Sequence, residues 1–235
     1  MSELQVLGKI EALVHDFDGV IYGLDSVPTI YEDSDETMAS AFRSIISVPI
    51  SQDEARRMAK EGYRKYGDSV NIFFEWAIIN GIDDIEEFRQ KLFEQFHREL
   101  FSKVSANAPH ILCPSPELIE GFESSRHIKK GIATHSCPKN WVQPFITQSG
   151  LARYFESHAI LGLSDVGLVR KSEDPALVNA CLSALQASPH QSGFIEDSAI
   201  NLRTAKEHLP YLTTIFLHHG RPEESLPTFI DFQFR

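Results

Sequence analysis

From Ser115 to Leu217 short apolar runs alternate with helical stretches, a rhythm that few arrangements accept other than a parallel sheet with helical connections. Lys130-Gly131-Ile132-Ala133-Thr134 reads as a strand, and further strands are expected at about 158–163, 192–196 and 211–217. Helices are expected from Ser115-Pro116, from Pro138 to a stop at Gly150, over about 174–187 and over 199–208. One more strand belongs to this set. Ile10 to Phe17 is a short, mostly apolar run that ends in acid and meets Gly19 and Gly23, as a buried strand entering a turn does. Between that run and Ser115 no strand pattern occurs. The acidic stretch Tyr31–Glu36, just after Pro28, marks the divide. Beyond it, Ser51 and Glu54 form a capping box, Asp68 is placed to cap a helix that stops at Gly81, and Asp83-Asp84 opens another carrying Phe88, Leu92, Phe93 and Phe96 at helical spacing. The expected fold is α/β: a doubly wound, Rossmann-like parallel sheet core made of residues 1–24 and 107–235, with an all-helical insertion over 25–106. The alternating tail Thr228–Phe234 suits an edge strand or a dimer contact, and docking on its own core is the simpler outcome.

Composition bounds the function. Of 235 residues 42% are hydrophobic, and 33 acidic against 22 basic side chains give a net charge of −11. That balance opposes a sequence-independent grip on nucleic acid, which needs a basic surface. No basic stretch followed by an apolar core opens the chain, and no window nears the ~18 apolar residues of a membrane span. Three cysteines without a CxxC pair fit a reducing compartment, so a soluble, cytoplasmic protein is expected, as a monomer or homodimer. His110, His127, His158, His208, His218 and His219 form no metal-ligand spacing, which argues against zinc.

Open parallel sheets place their sites beyond the carboxyl ends of the strands, where the strand order reverses. Four such ends carry reactive side chains. After the first strand, Asp16 and Asp18 lie at i and i+2, so both carboxylates can face one crevice, and Gly19 allows a sharp turn. Beside a divalent cation Asp16 would stay ionised and could attack phosphorus, while Asp18 could hold a proton for the leaving oxygen. A bare D-x-D-G is more often a surface Asx turn. Thr134, with His135 and Ser136, ends the second strand ahead of a helix, and its hydroxyl and amides suit a phosphate oxygen as well as a plain Ser/Thr turn. Lys171 precedes the helix of Leu177 and Cys181 and could serve as a point charge, although most lysines sit in water. Glu196-Asp197 ends another strand; hard oxygens there suit Mg²⁺, and Asp197 or Ser198 could equally cap the next helix.

Taken together, in this order at core-element ends, D-x-D, Thr, Lys and Glu-Asp resemble the four motifs of the haloacid dehalogenase-like (HAD) superfamily from about Ile10 to Leu217. His15-Asp16-Phe17-Asp18-Gly19-Val20-Ile21 and Phe194 to Leu202 carry most of the likeness. The resemblance implies a Mg²⁺-dependent phosphomonoesterase acting on a small-molecule phosphate ester. In it Asp16 is the nucleophile that forms an aspartyl phosphate and Asp18 the acid and base. Asp16, the backbone carbonyl of Asp18 and Asp197 would hold Mg²⁺, with Glu196 a direct or water-mediated ligand, and Thr134 and Lys171 would hold phosphoryl oxygens. The helical insertion looks like the family's C1 cap. His135 stands where relatives commonly carry Asn; it can donate to phosphate and adds a titrating group. Lys171 is followed by Ser172-Glu173-Asp174-Pro175 in place of the frequent Lys-Pro-x-Pro. Tyr63 to Gly67, Asp84 to Phe88 and Asn201 to Lys206 look like the pyrimidine 5′-nucleotidases, which suggests a nucleoside 5′-monophosphate with Tyr63, Tyr66, Phe73 or Trp76 stacking on the base, although aromatics at helical spacing are more often core. Asp16 to Val20 reads more like phosphoglycolate phosphatases and β-phosphoglucomutases, so a sugar-phosphate phosphatase or a phosphomutase is the alternative, and a catalytically silent binding protein the alternative of another class.

Overall fold

The computed structural model describes residues 9–22, 28–66, 69–218 and 227–234. The turn at Gly23, the cap at Asp68 and the side chains of Tyr63 and Tyr66 lie outside the described residues. The chain separates into two compact units, one of Met1–Leu24, Leu112–Pro138 and Phe145–Arg235, the other of Asp25–Ile111 and Lys139–Pro144.

Among the described residues the first unit holds six strands: β1 (Ala12–His15), β2 (Lys129–Thr134), β3 (Ile160–Gly162), β4 (Ser192–Glu196), β5 (Thr213–Leu217) and β6 (Phe232–Phe234). They form one sheet in the order β3-β2-β1-β4-β5-β6, and every neighbouring pair is parallel. β1 is central and covered on both sides: Ala12 and Val14 are fully buried on one face and His15 is buried on the other. Its register sets Ala12 beside both Lys129 and Ser192, so β1, β2 and β4 end on one edge of the sheet. The strand order reverses at β1, and the residues following these three strands meet there.

Among the described residues three α-helices lie within this unit, Pro116–Ser124, Ala176–Ala184 and Ala199–His208, with the larger part of a further one, Gln143–Gln148. Ala176–Ala184 and Ala199–His208 cover one face. Leu177, Val178, Cys181 and Leu182 of the first and Leu202 and Ala205 of the second pack with Ala12, Val14, Ala133 and Phe194. Full burial of one such side chain contributes roughly 1.5–3 kcal/mol, so this layer is a main source of the rigidity under the strand ends. Gly131 is required by close approach, since a Cβ there would lie 2.5 Å from the Cys181 Sγ. On the opposite face His15 meets the rings of Phe122 and Phe155. An apolar cavity of about 340 Å³ over β1, β4 and β5, lined by Leu13, Ile195, Ile215 and Phe234, leaves part of that face less tightly filled. The tail is an edge strand docked on its own chain. Asp231 Oδ2 accepts from the Thr214 amide at 2.8 Å, the Thr214 hydroxyl at 2.9 Å and Lys206 Nζ at 2.7 Å, which fixes β6 beside β5.

The second unit is helical: α1 (Pro28–Ile45), α2 (Gln52–Tyr66), α3 (Asn71–Ile79) and α4 (Ile85–Asn107). Ser51 and Asp84 cap α2 and α4 by accepting the amides of Glu54 at 3.2 Å and Glu87 at 2.8 Å. Phe42 lies at its centre, against Phe73 at 4.3 Å and Trp76 at 5.0 Å between ring centroids. Phe73 is fully buried, so its ring belongs to this core and is closed to a stacked base. The sequence boundaries, 106 for the end of the helical segment and an undivided core thereafter, differ from the contacts. The helical unit extends to Ile111 and takes in Lys139–Pro144, because Trp141 packs on Phe101 and Asn140 donates to the Glu94 carbonyl at 3.0 Å. The expected helix from Pro138 is correspondingly split into a wide π-turn over Pro138–Val142 and the helix Gln143–Gln148.

Candidate active site

At the end of β1 the Asp16 amide still follows the sheet ladder, donating to the Ile195 carbonyl at 2.8 Å. Its carboxylate leaves the sheet. Oδ1 accepts from the Phe17 amide at 2.7 Å and from Lys171 Nζ at 2.8 Å, which locks the rotamer of a buried side chain. The chain then reverses at Gly19, whose φ is +83°. A Cβ on Gly19 would lie 2.2 Å from Asp197 Oδ2, so the turn and the residue after β4 press directly on each other. Asp16, Glu196 and Asp197 thereby offer carboxylate oxygens all within 4.8 Å of one another, the one such acid or His/Cys group among the described residues.

Lys171 sits in the connection between β3 and the helix Ala176–Ala184 and points inward, with its side chain only 1% exposed. Its three N–H donors go to Asp16 Oδ1, to Glu196 Oε2 at 2.7 Å and to the Ala133 carbonyl at 3.1 Å. Burial alone would push this ammonium down, but the Asp16 and Glu196 carboxylates outweigh it and hold it above the ordinary lysine range. The carboxylates are less well served. Burial first, then the charge of Glu196, drives Asp16 well above the usual carboxylate range despite Lys171, and burial with the charge of Asp16 raises Asp197 too. Three acids around one buried ammonium leave a deficit of two positive charges, which one divalent cation would fill. The donor set fits Mg²⁺, whose preferred ligands are hard oxygens.

Asp18 looks elsewhere. Its carboxylate accepts from the Tyr22 hydroxyl, from Ser136 Oγ at 2.6 Å and from Thr134 Oγ1 at 3.4 Å. The i, i+2 spacing thus brings both acids to one strand end but gives them different partners, and the acid cluster does not include the Asp18 carboxylate. Thr134 is fully buried, and its oxygen also accepts the Ser136 amide at 3.0 Å. His135 follows as a half-buried residue. Its Nε2 accepts the Lys171 amide at 3.0 Å, and burial with the charge of Lys171 pushes the imidazole down to about 3. It is neutral at ordinary pH, so the expectation of an added titrating group is corrected, and only Nδ1 is left to face a ligand.

Three contributors escaped the sequence reading as site residues: Tyr22, Ser136 and Asn201, the last donating to Glu196 Oε2 at 3.1 Å. Ser136 at i+2 from Thr134 is the spacing of a Ser/Thr turn and was visible in principle. Nothing local marks Tyr22, which reaches Asp18 only because the chain doubles back at Gly19.

A parallel α/β sheet with these acids and lysine at the reversal point of its strand order defines a hydrolytic enzyme of a known kind. The model of the haloacid dehalogenase-like hydrolases matches residues 10–208, and the chain belongs to that family. No curated protein sequence matches. Among solved structures, a HAD hydrolase of family IA, variant 3, from Entamoeba histolytica HM-1:IMSS is 19% identical over 96% of this chain and 92% of its own, with a TM-score of 0.64. A hydrolase from Pseudomonas syringae is 16% identical over 95% and 93%, with a TM-score of 0.57. A β-phosphoglucomutase from Clostridium difficile is 18% identical over 89% and 85%, with a TM-score of 0.55. At these identities the likeness is one of fold.

Proposed function

We propose that the enzyme is a phosphomonoesterase that works through an aspartyl phosphate on Asp16 and depends on Mg²⁺. The observation that carries this reading is the convergence of Asp16, Glu196 and Asp197 oxygens within 4.8 Å, with the Lys171 ammonium on Asp16. When bound, the ion would supply charge neutralisation for the phosphoryl oxygens, held by Asp16, Asp197 and the Asp18 carbonyl. The chain's own residues do the rest. The Asp16 carboxylate attacks phosphorus, forming one O–P bond as the bond to the leaving oxygen breaks, and Asp18 gives that oxygen its proton. Asp18 then takes a proton from water, which attacks the same phosphorus and breaks the bond to Asp16, releasing inorganic phosphate. Thr134, with the Nδ1 of His135, faces the phosphoryl group, and Lys171 offsets its charge. In the resting state all three donors of Lys171 are engaged, so its contact with phosphate follows release of one of them.

The substrate we propose is a small phosphate ester, with nucleoside 5′-monophosphates first in order. Two of the four aromatics considered for base stacking, Phe73 and Trp76, are engaged with Phe42. We also propose the helical unit as the cap and place the protein in the cytoplasm as a monomer or homodimer without nucleic-acid or membrane partners; among the described residues no helix is long and apolar enough to cross a membrane. The test is phosphate release from a panel of nucleotides, sugar phosphates and phosphoglycolate with added Mg²⁺. Release that is lost with EDTA and in Asp16→Asn is the expected result. Isomerisation of a sugar phosphate with little free phosphate would assign a phosphomutase, and failure of both Mg²⁺ and beryllium fluoride to bind would assign a silent binding protein.

A further inference from the structure

We infer that Thr204 is a positioning residue of the active site: from the helix Ala199–His208 it pins the loop that carries Lys171, together with His135 at the exit of β2. That the pinned lysine serves a phosphate rests on the reading above; the pin itself does not. A hydroxyl has one proton to donate. On a helix a threonine has a carbonyl within reach one turn back along its own chain. Thr204, which is buried, donates instead to the Ser172 carbonyl at 3.0 Å, 32 residues away in the chain. The loop it reaches turns sharply. The Arg170 carbonyl accepts the amides of Glu173 and Asp174, each at 3.0 Å, with Lys171 and Ser172 at the corner. A proline at 172 would restrict Lys171 to extended backbone and forbid this turn. Ser172 permits the turn but adds no stiffness, so the corner is set by bonds from outside: His135 Nε2 accepts the Lys171 amide at 3.0 Å, and Thr204 holds the next carbonyl.

The position of that corner matters because the Lys171 ammonium meets Asp16, Glu196 and the Ala133 carbonyl at 2.7 to 3.1 Å, three fixed acceptors that a displaced Cα would not satisfy together. One helix serves both ends of this side chain. Asn201 and Thr204, at i and i+3, share a helical face. Asn201 Nδ2 bonds the Glu196 oxygen that accepts Nζ, and Thr204 bonds the carbonyl just beyond the Lys171 Cα.

The experiment is reductive methylation with formaldehyde and cyanoborohydride, read by peptide mass spectrometry at Lys171 and Lys130, on the unsubstituted protein, Thr204→Val and Thr204→Ser. Lys130 is the internal control: it is as buried as Lys171, at 1% exposure, and its ammonium is held by the Ser125 and Ile128 carbonyls. Thr204→Val keeps the branched shape and removes the donor. Its Lys171 is expected to label about three- to tenfold faster, the worth of one hydrogen bond in the local opening that exposes the amine. Lys130 should keep its rate, and Thr204→Ser should return Lys171 to the unsubstituted rate. No rise at Lys171, an equal rise at Lys130, or a Thr204→Ser as reactive as Thr204→Val overturns the inference. Should Thr204→Val not fold, His135→Phe takes the acceptor from the Lys171 amide and carries the same comparison, with an unchanged Lys171 overturning it. Labelling needs no turnover, so an unsubstituted protein inert on phosphate esters would remove the phosphatase reading alone.

Discussion

Gly19 carries two demands at one atom: a backbone at φ +83° and a bare Cα facing Asp197. Gly19→Ala is therefore expected to lose about 1–2 kcal/mol of stability from the left-handed conformation alone and to displace the Asp197 carboxylate. Denaturant unfolding and Mn²⁺ affinity measured together check it; a variant that keeps both would show that the turn is not what places Asp197. Histidines make a second prediction. His15 is pushed down to about 4, by burial first and then by the charge of Lys130, with the Gly131 carbonyl opposing, and His135 to about 3. Both are neutral when folded, whereas the unfolded chain takes up protons near pH 6.5. Stability is thus complete above about pH 6.5 and falls on acidification toward pH 4, by about 2 kcal/mol at pH 5 for His15. Unfolding free energies at pH 7 and pH 5 should show a smaller drop in His15→Phe, by about that amount. That Asp16 and Asp18 lie at one strand end was legible from their i, i+2 spacing, whereas the different partners of the two carboxylates were not. The hydroxyl of Tyr22 was not legible, since what it bonds is decided by a reversal whose path no local pattern records.

Among elements, β6 shows how much a short strand owes to a single side chain. Asp231 ties it to Thr214 and Lys206 through three bonds on one oxygen, and β6 adds the bond from the His218 amide to the Phe234 carbonyl at 2.8 Å. Asp231→Ala should cost about 1–3 kcal/mol by leaving the Thr214 amide unpaired, the Thr214 hydroxyl keeping the Phe229 carbonyl, and hydrogen exchange should quicken at His218 while the amides of β1 stay protected. Unchanged exchange at His218 would mean that Phe232 alone holds the strand. Helices with capping residues and strands with apolar runs were readable at this scale, and the helix over 199–208 and the strand over 192–196 match their expected limits. Two features were not. Helix α1 begins at Pro28 and runs through the acidic stretch Tyr31–Glu36, which looked like a divide because charge reads as linker when the apolar stripe of Met38, Ala41 and Phe42 comes later. Lys139–Pro144 joins the helical unit through Trp141, and tertiary contact of that sort leaves no periodicity in the sequence.

For the molecule as a whole, buried like charges that await a cation couple metal to stability. At ten times its dissociation constant the proposed ion should add about 1.4 kcal/mol, which for a chain of this size raises the melting temperature by about 3–6 °C over EDTA-treated protein. The increment should vanish in Asp197→Asn; an equal shift in that variant would mean that Mg²⁺ binds elsewhere. The sheet has a different consequence for how the chain comes into being. β1 leaves a ribosome well before its neighbours, β2 at 129–134 and β4 at 192–196. At roughly 5–20 residues per second its second neighbour arrives on the order of ten seconds later, after the consecutive helices α1 to α4 have had time to associate. Before β2 follows, an apolar strand with both edges bare has no native partner, and one edge stays bare until β4 arrives, an exposure of the kind that chaperones cover.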